Sequence, residues 1–116
     1  MNDTLVAYAV QTENASIAIV ESDHVARWRH FHEVRQQLCG LIESVRVLSM
    51  SIKLVNGTYL YFFDAPRCER LRGMQLDRIE TVPAALRMMP DRFLETRLKP
   101  GVSPDEGIAI SEVRHG

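Results

Sequence analysis

Four arginines, Arg67, Arg70, Arg72 and Arg78, crowd one short stretch of this chain, RCERLRGMQLDR. A guanidinium offers paired donors that match phosphate oxygens, so arginines in a turn beside Gly73 suit a grip on nucleic acid or phosphate. Glu69 and Asp77 offset half of that charge, and a solvated loop is the simpler account. His24, His30 and His32 are close in sequence, but residues two apart point away from each other on a helix. No Cys or His pair stands at metal-ligand spacing, so no metal is expected. Asp64, Asp77 and Glu80 have the chemistry of a nuclease carboxylate cluster, yet nothing in their spacing sets a geometry, and surface charge is the default. Ser49 and Ser51 lack an adjacent base, which leaves a nucleophilic role unsupported. Tyr59, Tyr61, Phe62 and Phe63 could stack on bases, although alternation assigns Tyr59, Tyr61 and Phe63 to a core. No catalytic residue and no cofactor are expected.

The elements that hold these residues must fit in 116 residues, one ordinary domain. With 46% hydrophobic and 25% charged residues the chain has a soluble globular composition. The formal charge of −1 argues against a basic nucleic-acid-binding chain, so any such contact must be local. Cys39 and Cys68 stand apart, with no CxxC pair, and read as small buried hydrophobes in a reducing compartment. The N-terminal apolar run has no positive charge before it, and no run reaches membrane-spanning length. The expected location is the cytoplasm, which includes a host cytoplasm for a viral protein.

Residues 5–10 read as a first strand and 17–20 as a buried, β-branched one. Ser22 or Asp23 can cap a helix whose stripe runs Val25, Trp28, Phe31, Val34, Leu38, Leu41, Ile42, Val45, although Gly40 weakens its last turns. Alternation over 48–54, then Asn56-Gly57, then 58–63 predicts a hairpin with a two-residue type I′ turn. That loop pairs Leu54 with Tyr59, Ile52 with Tyr61 and Met50 with Phe63, with all six on one buried face. A further strand is expected within 74–82. Pro83 suits the first turn of a helix, and Pro90 divides the segment after it into short helices near 83–88 and 91–98. An edge strand is expected over 108–113. The expected fold is α/β: a central mixed sheet of about five strands containing the Asn-Gly hairpin, packed by one long helix and shorter C-terminal helices. The domain spans 1–116, with 100–116 as a peripheral tail.

Residues 52–98 resemble the middle of the ATPase core of tailed-phage large terminase subunits. The pieces that carry the resemblance are Asn56-Gly57-Thr58, Arg70-Leu71-Arg72-Gly73, Asp77 leading into Ile79, Ala84-Ala85, and Arg97-Leu98-Lys99-Pro100. The strand at 17–20 and its helix look like the element preceding that hairpin. The resemblance implies a P-loop-type sheet. It departs where catalysis would sit. A motor needs a Gly-rich loop ending in Gly-Lys-Ser/Thr to cradle phosphate and Mg²⁺, and the chain has no Gly-Lys. In the register set by Gly73, Asp77 and Ala84-Ala85, the two positions for the metal-binding and water-orienting carboxylates hold Val82 and Pro83. The expectation is therefore a phage or prophage protein with a degenerate core, without ATPase activity unless a partner chain supplies the missing loop.

Such a protein would work by binding. The candidate partner surface combines Leu60 and Phe62, on the hairpin's second face, with Met88, Met89 and Phe93. A protein partner, or another copy of the chain, is favoured by the slightly negative charge. The alternative is a nucleic-acid-binding accessory protein that uses Arg67, Arg70, Arg72 and Arg78.

Overall fold

A run with a β-forming look near the start of the chain is a helix. The computed structural model describes residues 3–111, and its first element is α1, Asp3–Gln11. The run LVAYAV is short and carries Val and Tyr, so periodicity alone does not separate strand from helix. Tertiary contact decides: Leu5 and Ala9, four apart, fall on one helical face and are both buried.

The SIAIVE run forms β1, Ser16–Glu21. Four consecutive apolar residues are buried because helices cover both faces of a parallel strand. Helix α2 spans His24–Gln37, capped by Asp23, whose side chain accepts from the Ala26 N–H at 2.8 Å. It ends earlier than the apolar stripe. Gly40 takes a left-handed φ of +96° just past the helix, and the chain leaves as an edge strand, β2, Ile42–Arg46. Of the expected stripe Phe31, Val34 and Leu38 are buried in the core, Ile42 and Val45 pack against it from β2, and Val25 is 61% and Trp28 41% exposed.

Strands β3, Ser51–Leu54, and β4, Tyr59–Asp64, form the hairpin. Its register differs by one residue from the expected one: Lys53 pairs with Tyr59, Ile52 with Leu60 and Ser51 with Tyr61. The loop has three residues, not two. The Leu54 N–H donates to Thr58 O and the Gly57 N–H donates back to Leu54 O. Gly57 has φ of +87°, whereas Asn56 is not among the positive-φ residues, and a type I′ turn requires both. Asn56 is engaged elsewhere. Its Nδ2 donates to Ala9 O at 2.9 Å and its Oδ1 accepts from the Thr58 N–H at 3.0 Å, so the hairpin tip is fastened to the end of α1. Since side chains alternate, a one-residue slip exchanges the two faces. Ile52, Leu54, Leu60 and Phe62 go under α1 and α2, and Tyr59 and Tyr61 turn to the other side.

Two 3₁₀ turns, Ala65–Arg67 and Glu69–Gly73, lead to β5, Arg78–Thr81. Short helix α3, Pro83–Leu86, and a further 3₁₀ turn, Glu95–Arg97, stand where longer helices were expected. Helix α4, Pro104–Gly107, feeds β6, Ile108–Ile110, and the rest of the expected edge strand past Ser111 lies outside the described residues. The chain is thus α/β with a mixed six-stranded sheet in the order β2-β3-β4-β1-β5-β6. Strand β1 is central and parallel to both β4 and β5. One core joins α1 and α2 to Ile17, Ile19, Leu60 and Phe62. The other packs Ala18, Val20 and Ile79 against Leu71, Leu76, Val82 and Ala85.

Phe62 is fully buried against Phe31, their rings 5.6 Å apart. Phe62→Ala is expected to lower the unfolding free energy by about 3–5 kcal/mol in urea denaturation; a loss below about 1 kcal/mol would mean that Phe62 lies on the surface.

Candidate functional site

At the carboxyl ends of the two central strands, Glu21 of β1 and Asp64 of β4 stand side by side in register. Both are buried, at 4% and 2% exposure, on the face covered by α2. A buried carboxylate needs a partner, and α2 supplies two. Arg27 donates from Nη1 to Asp64 Oδ1 at 3.2 Å, from Nε to Phe62 O at 2.6 Å, and from Nη2 to Ser49 O at 3.2 Å. His30 Nδ1 lies 2.6 Å from Glu21 Oε2, with its ring edge-on to Phe62. A carboxylate and an imidazole so paired have the parts of a proton-transferring base. Here both side chains are at least nine-tenths buried, at 5% and 10% exposure, which shuts them away from a substrate. The pairs tie α2 to the sheet.

A third carboxylate on that face, Glu80, is held by Arg78 Nε at 2.8 Å, and the Arg78 guanidinium lies over the Tyr8 ring. Asp77 sits at the other end of β1, where it accepts from the Ser16 N–H at 2.8 Å and from Lys99 Nζ at 2.9 Å. The length of β1, about 16 Å at 3.3 Å per residue, separates Asp77 from Asp64, so no Asp64–Asp77–Glu80 cluster assembles, and Asp64 is buried rather than the surface charge expected. Among the described residues no group of three or more His, Cys, Asp or Glu is placed to hold a metal ion.

The basic patch is changed in membership. Arg67, Arg70 and Arg72 are exposed on the two 3₁₀ turns, anchored by buried Leu71. Arg78 is not with them. It lies on β5, turned to the α1 face and paired with Glu80. Arg97 takes its place: Nη1 donates to Arg72 O at 2.7 Å, and its guanidinium packs 5.2 Å over Phe93. Arg97 is 25 residues from Arg72, and no local spacing announces the meeting.

The apolar candidates divide as well. Leu60 and Phe62 are fully buried, because the register turns them into the α2 core, so they offer no partner surface. Met89 and Phe93 line a cleft of about 440 Å³ beside β6, with Leu86, Leu94, Ile108 and Ile110. Met88, 52% exposed, stands outside that lining. The cleft exists because Pro90 interrupts the chain after α3, Arg92 takes φ of +62°, and a short α4 capped by Ser103 brings β6 back to the sheet. Asp91, Arg92, Glu95 and Asp105 form its polar lining. Separation in sequence hid half of this site: the part from 86–95 was visible, the part from 104–110 was not.

The remaining reactive side chains are quiet. Both cysteines are free, and Cys39 is exposed, contrary to the expectation that both are buried. Burial, with the Glu69 charge second, pushes the Cys68 thiol up, which disfavours the reactive thiolate. Ser49 and Ser51 hydroxyls contact each other at 3.1 Å, without a base. Among the described residues no helix is long and apolar enough to cross a membrane. No protein-family model and no curated protein matches this chain.

Arg27→Met should lower stability by about 3–5 kcal/mol by leaving the Asp64 charge buried and unpaired. Adding Asp64→Asn should restore at least about 1 kcal/mol in a double-mutant cycle; strictly additive losses would mean that the two side chains do not interact.

Proposed function

We propose that this chain is a non-catalytic binding protein, a phage or prophage product with a degenerate, terminase-like core, and that the cleft beside β6 receives a protein partner. The observation that carries the binding role is the cleft itself. It joins an apolar floor of Met89, Phe93, Leu94 and Ile108 to an exposed Ile110, at 47%, on the sheet's last strand. Exposed apolar surface at a concave site fits a partner better than solvent. The absence of catalysis is supported by the chain's own corner at the end of β5. Val82 is buried in the core and Pro83 opens α3, and neither side chain can hold a cation or move a proton. The proposed kinship with packaging motors rests on the order of the matching pieces, in which hairpin, Arg-Leu-Arg-Gly turn, strand and Ala84-Ala85 helix succeed one another along the chain. Fold likeness alone carries no activity.

A second role, accessory binding of nucleic acid, is favoured by one contact. Arg97 joins Arg67, Arg70 and Arg72 through the Arg72 carbonyl, giving four guanidinium groups on neighbouring turns.

A photo-crosslinking amino acid at Ile110, exposed in the cleft lining, should capture one discrete protein in the native host, whereas the same group at exposed Val25 should not. Identical capture at both positions would contradict the cleft as the docking site. Oligonucleotide binding that weakens steeply with salt and is lost in Arg70→Ala/Arg72→Ala would transfer the function to the arginine patch.

A further inference from the structure

Strand β6 ends the sheet. It pairs in parallel with β5, Ile79 with Ile108, Glu80 with Ala109 and Thr81 with Ile110, and among the described residues no strand lies on its other side. In such a pair the backbone groups of alternate residues point to the same side. The Ser111 N–H donates to Thr81 O at 2.8 Å. Ala109 and Ser111 therefore face β5, and the N–H and C=O of Ile110, with the C=O of Ile108, face outward. The Ile108 N–H is taken by Pro104 O. The edge is short, three residues, but carries no lysine, no proline and no bulge within Ile108–Ile110. The Ile108 and Ile110 side chains line the cleft, so the open backbone and the apolar recess form one surface.

Charge selects the occupant. Three carboxylates, Asp91, Glu95 and Asp105, line the cleft against one guanidinium, Arg92, which is tied to Glu95 at 3.1 Å. No cation among the described residues pairs with Asp91 or Asp105. A second copy meeting this edge about a two-fold axis would bring the same acids against these, which disfavours self-pairing. A basic chain is attracted.

We infer that β6 accepts an extended segment of a partner protein as a seventh strand. Its alternate apolar side chains enter the cleft beside Met89 and Phe93, and its Lys or Arg residues lie near Asp91 and Asp105. This rests on the protein-binding role proposed above and specifies the partner's chemistry.

The test uses two fluorescein-labelled hexapeptides, acetyl-Lys-Val-Lys-Ile-Lys-Val-amide and the same peptide N-methylated at alternate amides, titrated with the full chain by fluorescence anisotropy. The charges and side chains are equal, and N-methylation blocks alternate backbone donors. The unmodified peptide is expected to bind saturably, and N-methylation to weaken it by about tenfold or more. Ile110→Pro is expected to do the same, since it removes an outward N–H and spares the bonds of Ala109 and Ser111 to β5. Equal binding of both peptides overturns strand addition; if Phe93→Ala then abolishes that binding, the cleft remains a docking site and the proposed function stands. No binding of either peptide at millimolar concentration also overturns it, and the Ile110 crosslink decides the docking role separately.

Discussion

A single left-handed residue, Gly57 at φ of +87°, decides which side of the hairpin is core. Placed third in a three-residue loop, it aligns Ile52 with Leu60 instead of Tyr61. Every apolar residue of β3 and β4 that faces the α2 side is set by that alignment. Asn56, freed from left-handed geometry, ties the loop to the end of α1 through Ala9 O. A side chain at position 57 would collide with Asn14 as well as strain the backbone. One position therefore fixes the turn, seats the hairpin on α1 and buries Phe62 beneath Phe31 and His30.

Once Phe62 is inside, the charged pairs at the strand ends have a consistent role. Arg27 tolerates burial only because Asp64 and two backbone carbonyls meet its guanidinium. The Glu21–His30 pair closes the neighbouring strand end in the same way. This corner of a parallel sheet is where ligands commonly bind in α/β folds, but α2 seals it. The accessible surface is displaced to the far side of the sheet, where β6 and the turns after Pro90 leave the cleft open. The sealed strand ends and the open cleft at the sheet's edge are two results of the same packing.

Much of the architecture was legible from the residues. The SIAIVE run, the Asp23 cap, the hairpin around Asn56-Gly57 and the helix-starting Pro83 all correspond to elements found. The failures share a cause, which is contact between residues distant in sequence. LVAYAV is helical because Leu5 and Ala9 find the hairpin core, not because of local preference. The helix after Asp23 stops at Gln37 because Ile42 and Val45 pair with β3, Ile42 with Leu54 and Val45 with Ile52, which a continuous apolar stripe conceals. Asn-Gly specifies a tight turn but not its length, and the extra residue moved Leu60 and Phe62 from candidate surface to core. At the candidate site, Met89 and Phe93 were found and their partners Ile108 and Ile110 were not. Arg97 replaced Arg78 for the same reason.

The hairpin register can be measured directly. In a nuclear Overhauser spectrum of the isotope-labelled chain, cross-strand backbone contacts should join Ile52 to Leu60 and Ser51 to Tyr61. Contacts joining Ile52 to Tyr61 and Leu54 to Tyr59 would mean a two-residue turn, would turn Leu60 and Phe62 away from α2, and would contradict the packing of the core that Gly57 sets.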